Sequence, residues 1–207
     1  NINLQYSFRG ENRINTTDSL FFKKGMFDDA KYGMKHTIPL STNFKVLKHF
    51  SVSMNGNFDE IWTGNTIIRN DYDINNQEQE DKIQVRGFDR FSQYNFGMSV
   101  GTTIYGLFNF KEDKKIQSIR HVIRPSVSYN IRPSFGKYYD TYIIDADGNT
   151  AEYTRFEENF FGFPSRRYSS AIGLQISNNI EAKIKEKDSL ATEPRKVTVL
   201  NLSLIHI

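Results

Sequence analysis

Long stretches of this chain alternate in character, residue by residue. From Phe91 onward, Tyr94, Phe96, Met98, Val100, Thr102 and Ile104 share one parity, while Gln93, Asn95, Gly97, Ser99, Gly101 and Thr103 take the other. A second run places Ile119, His121, Ile123, Pro125, Val127, Tyr129 and Ile131 together, against Arg120, Arg124, Ser126, Ser128, Asn130 and Arg132. Successive side chains of a strand point to opposite faces, so each run predicts a strand with one apolar and one polar face. The charged and polar stretch Lys111–Lys115 joins them, and Phe91–Pro133 is expected to be one long β-hairpin.

The same alternation predicts further strands. Ile2, Leu4, Tyr6 and Phe8 mark a first, followed by a polar connection from Arg9 to Gly33. A second runs from about Met34 to Phe44, with Lys45–Lys48 as a turn. The third, about His49 to Trp62, sets Phe50, Val52, Met54, Gly56 and Phe58 against Ser51, Ser53, Asn55 and Asn57. Gly64–Asp89 is expected to be a long polar loop before the hairpin, and Ser134–Arg166 another after it. Tyr168–Ile184 reads as strand six, Lys185–Arg195 as a charged turn, and Val197 and Val199 as the start of strand seven. Connections therefore alternate, long then short.

Length decides the setting. Strands of soluble proteins run about five or six residues, and a membrane-crossing strand needs about nine to eleven. The hairpin runs are roughly twice as long as a crossing requires. The expected fold is all-β: an antiparallel transmembrane β-barrel fragment of about seven up-and-down strands, short of the eight that the smallest barrels need, hence an open curved sheet. On this reading Gln93, Asn95, Ser99, Arg120, Arg124, Asn130 and Arg132 face the lumen. Tyr94, Phe96, Met98, Val100, Ile123, Val127 and Tyr129 face lipid. Pro39 and Pro125 each remove a ladder donor in mid-strand and should weaken pairing locally.

Composition fits without deciding. The 207 residues are 38% hydrophobic and 14% aromatic, with no cysteine and a net charge of +3, and the mean hydropathy is −0.58. No stretch reaches the roughly eighteen apolar residues of a membrane helix, and alternating strands average out in hydropathy. Without cysteine there are no disulfides or thiolate metal sites. The small net charge gives no argument for a nucleic-acid partner. The alternation is already under way at Asn1, so a piece of a longer protein is expected.

Sequence signals for chemistry are weak. His36, His49, His121 and His206 have no metal-binding spacing. Asp145-Ala-Asp-Gly148 begins like a calcium loop, but its glycine stands fourth rather than sixth, and its flanks alternate as a hairpin does. No nucleophile elbow of the form GxSxG occurs. No catalytic, metal or cofactor site is expected. Arg120, Arg124 and Arg132 on one strand face need water or counter-charges; acids on neighbouring strands or an anionic passenger would both serve.

Several segments resemble a known family. Gly87-Phe-Asp-Arg-Phe91, Tyr105-Gly-Leu-Phe-Asn-Phe110 and Ile119-Arg-His-Val-Ile-Arg-Pro-Ser126 are similar to the C-terminal barrel of LptD, the lipopolysaccharide-assembly outer-membrane protein, in its Bacteroidetes type. His36-Thr-Ile-Pro-Leu-Ser-Thr42 and Asn178-Asn-Ile-Glu-Ala-Lys183 add to the likeness, which covers residues 1–201 as a partial barrel domain. The resemblance implies a translocon in the Gram-negative outer membrane that inserts lipopolysaccharide into the outer leaflet with no covalent chemistry. It implies outer-membrane lipid, an LptE-like lipoprotein plug and a periplasmic Lpt bridge as partners. A nutrient-uptake barrel and a barrel lipase stay open as alternatives. The tail, residues 202–207, departs from the family and is similar to a translated sequencing-library transposon end, so an assembly artefact is expected there.

Overall fold

The computed structural model describes all residues except 20, 24–25, 27–29, 76–81, 112–113, 186–194 and 207. Strands β1 (Ile2–Leu4) and β2 (Ser7–Arg13) are followed by β3 (Lys31–Val46), β4 (Phe50–Arg69) and β5 (Lys82–Thr102). Then come β6 (Ile104–Asn109), β7 (Ile116–Arg132), β8 (Tyr139–Ile143) and β9 (Thr150–Thr154). The last two are β10 (Ser169–Ile184) and β11 (Arg195–His206). The main sheet runs β1-β3-β4-β5-β7-β10-β11, with β2 also on β3 and β6 also on β7. All its pairings are antiparallel. The sheet is open, with β1 and β11 at its ends. No described helix is long and apolar enough to cross a membrane, which says nothing of crossing by strands.

Two of the expected strands are interrupted, and proline explains both breaks. The first strand is split into β1 and β2, which pair with β3 on either side of Pro39, from Leu4↔Leu40 to Ser7↔Thr37. Gln5 N–H still donates to the Pro39 carbonyl at 3.2 Å, but Pro39 has no N–H to return. Likewise the strand expected from Phe91 to Phe110 breaks at Thr103 into β5 and β6. The gap lies between Gly101↔Ser126 and Ile104↔Ile123, the pairs that flank Pro125 on β7. Counted as broken strands, β1 with β2 and β5 with β6 give a meander of the expected up-and-down form.

The polar loop expected at Gly64–Asp89 is the main correction. β4 continues through Arg69 and β5 begins at Lys82, so the connection shrinks to residues 70–81. The pairing steps from Thr63↔Asp89 to Asn65↔Arg86, a bulge that gives β5 one extra residue. Gly87 sits there with a φ of 151°, which side-chain-bearing residues rarely adopt. Parity reverses across the bulge, so Lys82–Arg86 does not continue the alternation of Phe91–Thr102 and reads as loop. The connection expected at Arg9–Gly33 also narrows, to residues 14–30. Connections 47–49 and 110–115 share one rim, and 14–30, 70–81 and 133–168 the other. The last of these holds the β8–β9 ribbon, whose Asp145–Asn149 turn uses Gly148 at a φ of 78°.

Candidate functional site

Register turns the alternation into two continuous faces. Directly paired residues share a face, so Ser53↔Ser99↔Ser128↔Gly173 and Ser51↔Gly101↔Ser126↔Gln175 form polar rows across β4, β5, β7 and β10. A third row is Asn55↔Gly97↔Asn130↔Ala171, with Asn57↔Asn95 and Asp59↔Gln93 beside it. A Cβ on Gly97 would lie 2.6 Å from Asn130 Oδ1 and 2.7 Å from Asn55 Oδ1, so any larger residue there would have to turn the two amides aside. Gln93, Asn95, Ser99, Arg120, Arg124, Asn130 and Arg132 all belong to this polar face. Tyr94, Phe96, Met98, Val100, Ile123, Val127 and Tyr129 all belong to the opposite one. Of the three arginines, Arg120 stands across from Glu181 at 4.0 Å, whereas Arg124 and Arg132 face Ser177 and Ser169 and are exposed.

At the rim of the long connections the polar face changes character. Ile61 and Phe91 lie on the same parity as Asn55 and Gln93, yet they are 0% and 1% exposed. Phe156, from connection 133–168, covers them, with Tyr138 and Phe161 packed around. The Phe156 ring centroid is 4.7 Å from that of Phe91 and 5.8 Å from that of Tyr138. The connection is pinned at both ends: Phe135 N–H donates to the Ser165 carbonyl at 2.9 Å, and Tyr139 Oη donates to the Pro164 carbonyl at 2.7 Å. Where β4 outruns β3, Ile67 N–H donates instead to the Arg155 carbonyl at 3.0 Å. One connection thus folds down over the polar face and closes a small hydrophobic core against it.

Ion pairs surround that core. Glu158 Oε2 accepts from Lys31 Nζ at 2.9 Å and from Gln84 Nε2 at 2.8 Å, and its Oε1 accepts from Lys82 Nζ. These bonds from Lys82 and Lys31 hold the Glu158 carboxyl below its ordinary value, against a smaller opposing effect of burial. Next to it Glu157 Oε1 accepts from Arg69 Nη2 at 2.6 Å, and Arg155 Nε donates to Asp89 Oδ2 at 2.5 Å. Arg9 and Arg13 of β2 place their guanidinium carbons 5.5 Å from the Phe161 and 5.0 Å from the Phe160 ring centroids. On the wall itself Asp59 accepts from Lys35 Nζ at 3.1 Å and from Thr37 Oγ1 at 2.8 Å.

None of these cap residues was singled out by sequence. One signal was present: Ile61 and Phe91 are large apolar residues on a parity that from Ser51 to Asp59 and from Gln93 to Gly101 holds only Ser, Asn, Asp, Gln and Gly, which requires a cover. Phe156-Glu-Glu158 in the following connection is the segment that supplies it.

The opposite face ends in an aromatic cluster near the same rim. The His36 ring lies 4.4 Å from Trp62 and 5.2 Å from Phe8, and Trp62 lies 5.7 Å from Phe88. Tyr6 Oη and His36 Nδ1 are 2.8 Å apart, and Glu60 Oε1 accepts from Trp62 Nε1 at 2.9 Å and from Arg90 Nη1 at 2.8 Å. His121 lies farther down that face, its Nε2 3.3 Å from Asn178 Oδ1. Among the described residues no three His, Cys, Asp or Glu side chains converge as a metal site. Asp145 instead accepts the N–H groups of Asp147 and Asn149 at 3.1 and 3.0 Å, closing its turn.

A family model described as LptD protein matches residues 1–206. Comparison with curated proteins and with solved structures gave no match.

Proposed function

The chain belongs to the LptD protein family, and from that premise we propose that it is a wall segment of an outer-membrane translocon for lipopolysaccharide. The family is one of lipopolysaccharide transport and outer-membrane assembly. The observation that carries the reading is the two-faced register, polar rows of Ser, Gly, Asn and Gln on one side and Tyr, Phe, Met, Val and Ile on the other.

On this reading the polar rows line a wet lumen and the apolar face meets lipid, as in barrels that carry polar cargo. The aromatic cluster of Tyr6, Phe8, His36, Trp62 and Phe88 marks one lipid–water boundary. The rim with connections 47–49 and 110–115 is periplasmic, and the rim with connection 133–168 is extracellular. Arg124 and Arg132 offer guanidinium groups to a phosphate-bearing headgroup. An LptE-like lipoprotein and the periplasmic Lpt bridge complete the assembly. No covalent step is required of any residue.

The test is depletion of the full-length protein in cells, with surface lipopolysaccharide read by an impermeant label. A fall in surface lipopolysaccharide with intact internal pools supports the role, and unchanged display refutes it.

A further inference from the structure

The Glu158 carboxylate is held in an unusual way for a surface loop. Three donors from two strands of the wall converge on it: Lys31 at the start of β3, and Lys82 and Gln84 at the start of β5. Register explains why they meet. Lys31 shares the face of Gly33, which pairs with Thr63, while the bulge at Gly87 puts Lys82 and Gln84 on that same polar face opposite Arg69 and Ile67. Without the bulge, Lys82 and Gln84 would point to the apolar side.

Two ammonium groups and an amide aimed at one pair of oxygens form a recognition site for a compact oxyanion, and phosphate offers three oxygens where carboxylate offers two. The donors belong to the wall, and only the acceptor belongs to the connection that covers it. We propose that Lys31, Lys82 and Gln84 form a phosphate site at the mouth of the polar face, which the loop's own Glu158 fills when no passenger is present. A phosphorylated glycolipid headgroup arriving there displaces Glu158 and loosens residues 155–161 from the wall. The neighbouring Glu157–Arg69 pair leaves with the same segment. This rests on the translocon reading, which supplies the glycolipid.

The exchange has a local consequence. Removal of Glu158 takes an acceptor from Lys31, Lys82 and Gln84 together, so the closed loop and the bound phosphate exclude each other. Exclusive occupancy of one site makes the coupling reciprocal: the headgroup weakens the loop contact by the factor by which the closed loop weakens headgroup binding, and a weaker loop contact gives tighter headgroup binding.

The experiment uses the full-length protein in detergent micelles and follows hydrogen exchange of backbone amides 155–161. Three probes are added at equal concentration: a bisphosphorylated glycolipid, the same lipid dephosphorylated, and inorganic phosphate. Faster exchange with the phosphorylated lipid alone is the expected result. Equal response to the dephosphorylated lipid, or none to either, overturns the proposal, and response to inorganic phosphate alone overturns the glycolipid assignment. These readings need no variant. In addition, Glu158→Gln should bind the phosphorylated lipid at least about fivefold more tightly. Lys31→Gln with Lys82→Gln should abolish the preference over the dephosphorylated lipid, and Lys31→Arg with Lys82→Arg should restore it. Unchanged affinity in Glu158→Gln also overturns the proposal. If depletion lowers surface lipopolysaccharide while these assays fail, the phosphate site is wrong and the transport role stands. If depletion has no effect, the role itself fails.

Discussion

The ring of Phe156 lies 4.7 Å from the ring of Phe91, in a long connection and a sheet strand respectively. That contact joins a loop that sequence alone leaves unplaced to a wall position that otherwise breaks the polar pattern. Ile61, Tyr138 and Phe161 pack around it.

Truncating the loop side of this contact should release the connection and leave the sheet in place. Phe156→Ala removes a fully buried ring, which costs on the order of 3–5 kcal/mol in a core and here falls on the local closed state. The expected outcome is rapid proteolysis within residues 134–166 in the folded protein. The heat-shifted gel mobility that reports an intact barrel should be unchanged. Loss of that mobility shift would show that the cap is needed for the sheet itself.

Acid should act on the same segment. The carboxyl of Glu158 is lowered from the ordinary 4.5 by its bonds to Lys82 and Lys31. A depressed value in the closed state means the stabilisation is complete above pH 4.5 and fades as pH falls through the lowered value. Amide exchange of residues 155–161, corrected for intrinsic rates, should therefore be flat near neutrality and rise in acid. Glu158→Gln should remove the part of that rise due to this carboxyl.

The Gly97 position tests the polar rows. A larger side chain there meets Asn55 Oδ1 and Asn130 Oδ1 inside van der Waals distance. Gly97→Val should destabilise the folded sheet by about 1–3 kcal/mol, the usual cost of overpacking. Asn55→Ala in the same chain should recover part of the loss, because the two sites share a contact. Urea titration of the reconstituted protein measures both.

The two faces should answer differently to one charge. Met98→Arg, in the apolar band of β5, should cost about 2–4 kcal/mol if the band crosses lipid. Gln93→Arg, on the other face and paired with Asp59, should stay within about 0.5 kcal/mol. Assembly yield of the heat-shifted form reads the difference. Equal yields would remove the assignment of Tyr94, Phe96, Met98 and Val100 to lipid.

Period-two alternation determined the all-β fold, the approximate strands and the sorting of each strand into two faces. Ser169–Ile184 and Ile116–Arg132 lie close to their expected bounds because their parity holds from Ser169↔Arg132 to Lys183↔Ser118, the register shifting only at the last pair. Prolines 39 and 125 were legible as weak points, since a missing N–H is a property of the residue and not of its setting. The tertiary structure decided two matters that no local pattern holds. The bulge at Gly87 reverses parity, so Lys82–Arg86 looked like loop until its pairing with β4 was known. The closure of connection 133–168 depends on contacts between residues far apart in the chain, such as Phe91 with Phe156 and Lys31 with Glu158. Alternation reports which side of a strand a residue faces, and it carries no information about what folds back to cover that side. For that reason Ile61 and Phe91 pass unremarked in the sequence and stand as the floor of the cap in the fold.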